Sequence, residues 1–225
     1  MIRFEDVYKR SPGGRDALRG VSFHVERGEM IFLTGPSGAG KSTLLKLITL
    51  IETPTRGTVL VGGQNTTRVS RRGIPAFRQK LGIVFQDHKL LYDRSIFDNV
   101  ALPLVIIGLG PREIARRVRA ALDHVGLLGR EQHAPIMLST GEQQRIGIAR
   151  AIASRPEIVV ADEPTGNLDP ELSLDIMRLF ARFNEVGVTL LIATHDLELI
   201  ERFDYRRVRL VDGMIDGDGR SRAAS

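Results

Sequence analysis

Gly35-Pro36-Ser37-Gly38-Ala39-Gly40-Lys41-Ser42 is the stretch from which the rest of the chain can be read. It follows an apolar run, Met30–Thr34, that has the length of a buried strand, and it leads into a helical pattern starting near Lys41. Strand, glycine-rich turn and helix in that order make a phosphate-binding loop. The glycines permit a tight turn whose N–H groups converge on phosphate oxygens, and the helix N-terminus adds partial positive charge. Lys41 is expected to reach the β- and γ-phosphates, and Ser42, followed by Thr43, to place a hydroxyl on Mg²⁺. The cofactors expected are therefore ATP and Mg²⁺.

A second run, Ile158–Ala161, ends in Asp162-Glu163. Carboxylates at the C-terminal end of a strand lie on the ligand-binding edge of an open α/β sheet. Asp162 is expected to support the metal, and Glu163 to orient or deprotonate the attacking water. Alone, such a pair is an ordinary polar strand end.

Around these two motifs the chain reads as α/β. Strands are predicted at about 2–7, 21–25, 29–34, 58–61, 82–86, 157–162, 188–193 and 205–211, with helices at about 41–50, 95–101, 111–125, 140–154, 171–186 and 196–203. Asp212-Gly213 reads as a two-residue hairpin turn. The length of 225 residues suits one domain. Its core is assigned to 1–86 and 138–217, with an inserted helical subdomain at 87–137, where strand signals vanish, and a disordered tail at 218–225.

No apolar run approaches the ~20 residues needed to span a bilayer, and Met1–Asp6 does not read as a signal peptide. With no cysteine in the sequence, thiolate zinc sites, disulfide frameworks and cysteine nucleophiles are excluded. The net charge of +5 has local clusters, Arg68, Arg71, Arg72 and Arg78, and Arg116, Arg117 and Arg119, which read as solvated surface with no nucleic-acid partner.

Leu138-Ser139-Thr140-Gly141-Glu142-Gln143-Gln144-Arg145 lies between the two motifs. Physically, Ser139-x-x-Glu142 is a capping box that opens a helix. As a sequence it resembles the signature motif of the ATP-binding cassette (ABC) family. That resemblance implies an ABC-type P-loop NTPase fold, a mixed sheet with N-terminal antiparallel strands and an inserted helical part. It also implies that Ser139, Thr140, Gly141 and Glu142 of one copy complete the ATP site of another in an ATP-sandwiched homodimer. By the same resemblance Gln86 senses metal and water, Asp169 communicates across the dimer, and His195 contacts the γ-phosphate. Two positions depart from the family pattern. Thr140 replaces a usual glycine, and Ser11 stands where an aromatic residue usually stacks on adenine, with Tyr8 nearby as a substitute.

Phe85 to Val100, with Asp162 to Asp169, is similar to the cell-division branch of that family. This implies an integral membrane subunit as partner, contact with cytoplasmic division machinery, and a place on the cytoplasmic face of the inner membrane at the septum. The alternative is the ATPase of a lipoprotein-releasing or macrolide-type exporter. Leu90, Leu91 and Phe97 fit either a docking face for the membrane subunit or the core of the helical part. A DNA-repair or chromosome-structure ATPase would need a long coiled-coil insertion or a cysteine-rich zinc module, and the sequence has neither.

Overall fold

The structure, a computed structural model, describes residues 1–11 and 13–220. Two sheets form its frame. The first is antiparallel, in the order β2 (Asp16–Val25), β1 (Ile2–Arg10), β4 (Arg56–Val61), β5 (Gln64–Asn65). The second has six strands, β10 (Met214–Arg220), β9 (Arg206–Val211), β3 (Met30–Thr34), β8 (Thr189–Ala193), β7 (Ile158–Asp162) and β6 (Leu81–Val84). Its five strands from β9 to β6 are parallel, and β10 returns antiparallel to β9.

The central strands are apolar along their whole length because both faces are covered. Ile31, Leu33, Leu191, Ala193, Ile158 and Val160 point into a core shared with the antiparallel sheet and α1 (Lys41–Ile48). Their neighbours Met30, Phe32, Leu190, Ile192, Val159 and Ala161 point the other way. There they meet α3 (Ile96–Ile106), α4 (Pro111–His124), α5 (Thr140–Ile152) and α6 (Pro170–Glu185). The period of two along each strand thus serves two cores at once. Within the first core, the Phe4 and Phe23 rings stack with centroids 4.9 Å apart.

Several element bounds differ from the sequence expectation. β2 starts at Asp16 rather than 21, because Asp16-Ala17-Leu18 pairs with β1 through a bulged register. α3 continues past Pro103 to Ile106, opened by a capping box between Ser95 and Asp98. The short α2 (Ile74–Arg78) and β5 were not foreseen. Between β6 and α5 the elements are α3, α4 and a single 3-10 turn at Pro135–Met137, followed in sequence beyond α6 and β8 by the short α7 (Leu197–Glu201). The tail expected from 218 onward is corrected for Asp218, Gly219 and Arg220, which pair in β10 with Val208, Arg207 and Arg206. Residues 221–225 lie outside the described residues.

The parallel strands β3, β7, β8 and β6 end on the same edge of the sheet, which is where ligands bind in open α/β folds. Thr34 leads from there into the glycine loop, Asp162 into Glu163, Ala193 towards His195, and Val84 towards Gln86.

Candidate nucleotide site

The glycine loop is held tightly from two sides. A Cβ on Gly35 would lie 2.0 Å from the Leu210 carbonyl of β9, and one on Gly40 would lie 2.6 Å from the Ala17 carbonyl of β2. Gly213 N–H donates to the Ala39 carbonyl at 3.1 Å, so the β9–β10 turn also braces the loop. Gly40 caps α1 in the left-handed region at φ 108, without a side-chain bond. The N–H groups of the first turn of α1 therefore face the cleft with no intrahelical acceptor. At the other end of this helix, Arg78 donates to the carbonyls of Thr49 and Leu50 at 3.0 Å each, favourable for the negative end of the helix dipole.

A cleft of about 660 Å³ opens over this loop, within the usual range for a small-molecule site. Pro36, Ser37, Gly38, Ala39, Gly40, Lys41, Ser42, Thr43, Gln86, Glu163 and His195 all line it. Lys41 is buried, and its Nζ donates to the Gly35 carbonyl at 2.7 Å and the Pro36 carbonyl at 3.3 Å. The same ammonium lies 3.6 Å from Glu163 Oε1.

Glu163 is a non-glycine residue at φ 46, in a region that costs energy and is populated mainly where surroundings over-determine it. Its N–H donates to the Ala193 carbonyl at 2.9 Å, while its Oε2 accepts from the His195 N–H at 3.3 Å and pairs with His195 Nδ1 at 2.8 Å. Lys41 and His195 thereby each engage a different oxygen of the carboxylate.

Asp162 accepts a hydrogen bond from Ser42 Oγ at 3.2 Å. Burial raises its pKa above the ordinary aspartate value, opposed by the Ser42 bond and reinforced by the neighbouring Glu163 charge. A carboxylate and a hydroxyl oxygen side by side match the oxygen preference of Mg²⁺, and they leave its remaining positions to phosphate and water. The donor set therefore fits that ion.

The other predicted site residues are placed elsewhere. Ser139, Thr140, Gly141 and Glu142 do not line this cleft and form the start of α5. Ser139 Oγ accepts from the Glu142 N–H at 3.3 Å, and Glu142 Oε2 accepts from the Ser139 N–H at 3.0 Å. A Cβ on Gly141 would lie 2.9 Å from Leu172 Cδ1, so this turn packs on the start of α6, which Asp169 caps by accepting from the N–H groups of Glu171 and Leu172.

Of the two candidates for the base, Ser11 lines the cleft and Tyr8 does not; the Tyr8 ring lies 5.1 Å from the Arg56 guanidinium. Arg15 and Ala17 also line the cleft, and neither is singled out by sequence. The Gly13-Gly14 step before Arg15 was the available signal, since it turns β1 back into β2 over the loop. Leu90 is buried in the helical core and Phe97 packs partly against it, whereas Leu91 is 40% exposed.

A mostly parallel sheet whose phosphate-loop lysine lies 3.6 Å from the second member of an acid pair defines a nucleoside triphosphatase of the P-loop class. The chain belongs to the ABC transporter family, whose model matches residues 18–166. It is 57% identical over 217 residues to the cell division ATP-binding protein FtsE of Escherichia coli K12, covering 96% of this chain and 98% of that protein. With the FtsE of Bacillus subtilis it shares 43% identity over 218 residues, 97% of this chain and 96% of the other. Among solved structures, the dimeric bacterial ABC transporter cassette MJ0796 superposes with a TM-score of 0.90 at 35% identity, covering 99% of both chains. A post-hydrolysis dimer of the same cassette, bound to ADP and Pi, superposes at 0.89 and 32% identity, again with 99% of each chain covered. Among the described residues no helix is long and apolar enough to cross a membrane.

Proposed function

We propose that this chain is the ATP-binding and ATP-hydrolysing subunit of an FtsE–FtsX-like cell-division complex. It works as an ATP-sandwiched homodimer on the cytoplasmic face of the inner membrane, at the septum, and drives an FtsX-like integral membrane subunit that regulates periplasmic peptidoglycan hydrolysis. The observation that carries the chemistry is the position of Glu163 between Lys41 and His195, beside the Ser42–Asp162 pair. The branch is supported by the high identity to the FtsE proteins over nearly the whole chain.

The geometry suggests an order of events. The phosphates of ATP settle on the N–H groups of the loop and of the first turn of α1. Lys41 then has a more highly charged partner than the two carbonyls and the carboxylate it touches now. As it turns to the γ-phosphate, Glu163 Oε1 becomes free to accept a proton from water, while Oε2 stays on His195. His195 Nδ1 pairs with Glu163, and the opposite ring nitrogen is left for the phosphate. Gln86, which lines the same cleft, orients the water. Ser42, Asp162 and Gln86 would hold Mg²⁺, which supplies charge neutralisation of the phosphate oxygens.

In the dimer, the start of α5 from the second copy closes over the nucleotide, with Asp169 beside it, in line with the position of both outside the cleft. Glu163→Gln is expected to keep ATP binding, to lower turnover by about 10²–10⁴-fold, and to accumulate an ATP-bound dimer seen by light scattering. Turnover at the wild-type rate would refute the general-base role. The membrane partner is tested by mass spectrometry of what co-purifies from detergent-solubilised membranes: an FtsX-like subunit supports the branch, and an exporter permease in its place refutes it.

A further inference from the structure

Gln86 is followed by Asp87, then by two consecutive non-glycine residues in the left-handed region, His88 at φ 58 and Lys89 at φ 48. Each such residue costs energy relative to an ordinary conformation. Within the loop itself there is little to hold them: the His88 N–H donates to the Phe85 carbonyl at 3.2 Å and the Lys89 N–H to the Asp87 carbonyl at 2.5 Å. The Lys89 side chain is exposed and pairs with Asp87.

The restraint comes from α5. Arg150, 64 residues after Gln86 and in the last turn of that helix, donates from one guanidinium nitrogen to the Lys89 carbonyl at 2.7 Å and from the other to the His88 carbonyl at 2.5 Å. One turn into α5, the buried Gln144 takes His88 Nδ1 on its Oε1 at 2.5 Å. Between them, a Cβ on Gly147 would lie 3.9 Å from the His88 carbonyl. Positions 144, 147 and 150 follow a spacing of three and share one face, and that face is laid against the loop. A guanidinium bound to two successive carbonyls fixes a peptide in orientation as well as position. Ser139, at the opposite end of the same helix, opens the signature turn.

We propose that Arg150 is a positioning residue for Gln86: its bonds to the His88 and Lys89 carbonyls hold the loop in its left-handed turn, so that Gln86 moves with α5 and with the signature turn at the other end of that helix. This rests on the reading of the cleft given above. When α5 is seated by the nucleotide of the second copy, Gln86 is thereby set in its own site, and a dimer that closes imperfectly leaves the glutamine out of place. Arg150 touches no reacting group; it acts through the backbone of His88 and Lys89.

Such a role separates turnover from binding. Arg150→Met keeps the apolar stem and removes the donors; kcat is expected to fall about tenfold, with KM for ATP and the affinity for a fluorescent ATP analogue each within about twofold of wild type. Arg150→Lys, which can reach one carbonyl, should recover part of the loss. Lys89→Gly added to Arg150→Met should raise kcat at least about threefold, because glycine adopts φ near +48° without penalty. A residue that only packs α5 would gain nothing from a glycine across the loop. Should Arg150→Met not fold, Lys89→Val tests the same point from the exposed side, since a β-branched residue resists positive φ and should lower kcat at unchanged KM.

Wild-type kcat in Arg150→Met or in a folded Lys89→Val, a loss that glycine at 89 does not relieve, or a fall in kcat matched by an equal rise in KM would each overturn the proposal. Nucleotide binding by the wild-type chain and its loss in Lys41→Ala test the reading of the cleft separately.

Discussion

Helices α1 and α5 start in opposite ways. α1 opens on a glycine at φ 108, with no side chain on its first N–H groups, and its glycine loop is clamped between β2 and the β9–β10 turn. α5 opens on Ser139, whose hydroxyl accepts from the Glu142 N–H while Glu142 returns a bond to the Ser139 N–H. The first start is a rigid seat whose donors await an anion. The second is already satisfied by its own side chains, as a capping box is, so a phosphate that approaches it competes with an internal bond. On the proposed function this difference assigns the two ends of one ATP unequal tasks: tight, permanent binding at α1, and reversible closure at α5.

The largest effect should come from removing the cation of the permanent seat. Lys41→Ala is expected to weaken ATP binding by about 100-fold or more, measured by equilibrium dialysis. Unchanged affinity would break the contrast at its stronger side. Ser139→Ala comes next: losing the cap should destabilise the protein by about 1 kcal/mol and lower ATPase activity about tenfold, while the affinity of a single chain for ATP stays within about twofold. A parallel loss of affinity would mean that both helix starts seat the nucleotide in one chain.

Asp162→Asn sharpens the comparison through stability. A carboxyl whose folded pKa lies above its unfolded value opposes folding at pH above that folded value, and the opposition fades as pH falls and the group takes up its proton. The asparagine variant without nucleotide should therefore melt above wild type near neutral pH, with the gap narrowing as pH falls, even as hydrolysis is lost. An asparagine variant that melts lower at neutral pH would contradict the raised pKa. The smallest change is expected from Thr140→Gly. Thr140 is exposed at the first position of α5, so ATP binding by one chain should not respond, and ATPase activity should rise by no more than about twofold. A large loss of activity would show that the threonine itself seats the second nucleotide.

The central sheet was legible because its strands are buried on both faces, which writes them as unbroken apolar runs: Ile31-Phe32-Leu33, Ile158-Val159-Val160-Ala161 and Leu190-Leu191-Ile192. In the longer helices, starts were legible where a cap or a first-turn proline marks them, as at Ser95, Pro111 and Pro170. The stretch from Gly62 to Lys80 was opaque. Its two-residue strand, two 3-10 turns and five-residue helix are too short for either period to emerge.

The same division runs through the site. Gly35 to Ser42 and Asp162-Glu163 are contiguous motifs attached to strand ends, and a sequence displays them directly. Arg15, Ala17 and the Arg150 contact arise from chain segments brought together by the fold, with Arg150 61 residues from Lys89. Tyr8 was proposed from its nearness in sequence to the missing aromatic residue, but the pairing of β1 with β4 sets it opposite Arg56, where its ring stays.

The way the glycine loop is wedged has a consequence for genetics. At Gly35 and Gly40 any side chain would drive into a backbone carbonyl of another strand, whatever nucleotide is present, whereas at Gly38 no atom stands within 4 Å of an added Cβ, and only the φ of 78 resists it. Alleles at the first two positions should therefore behave like temperature-sensitive folding lesions and be recessive, with little protein accumulating. On the proposed function, alleles at Lys41 leave a folded chain that can still occupy the complex, and they are the ones to expect among dominant-negative mutants.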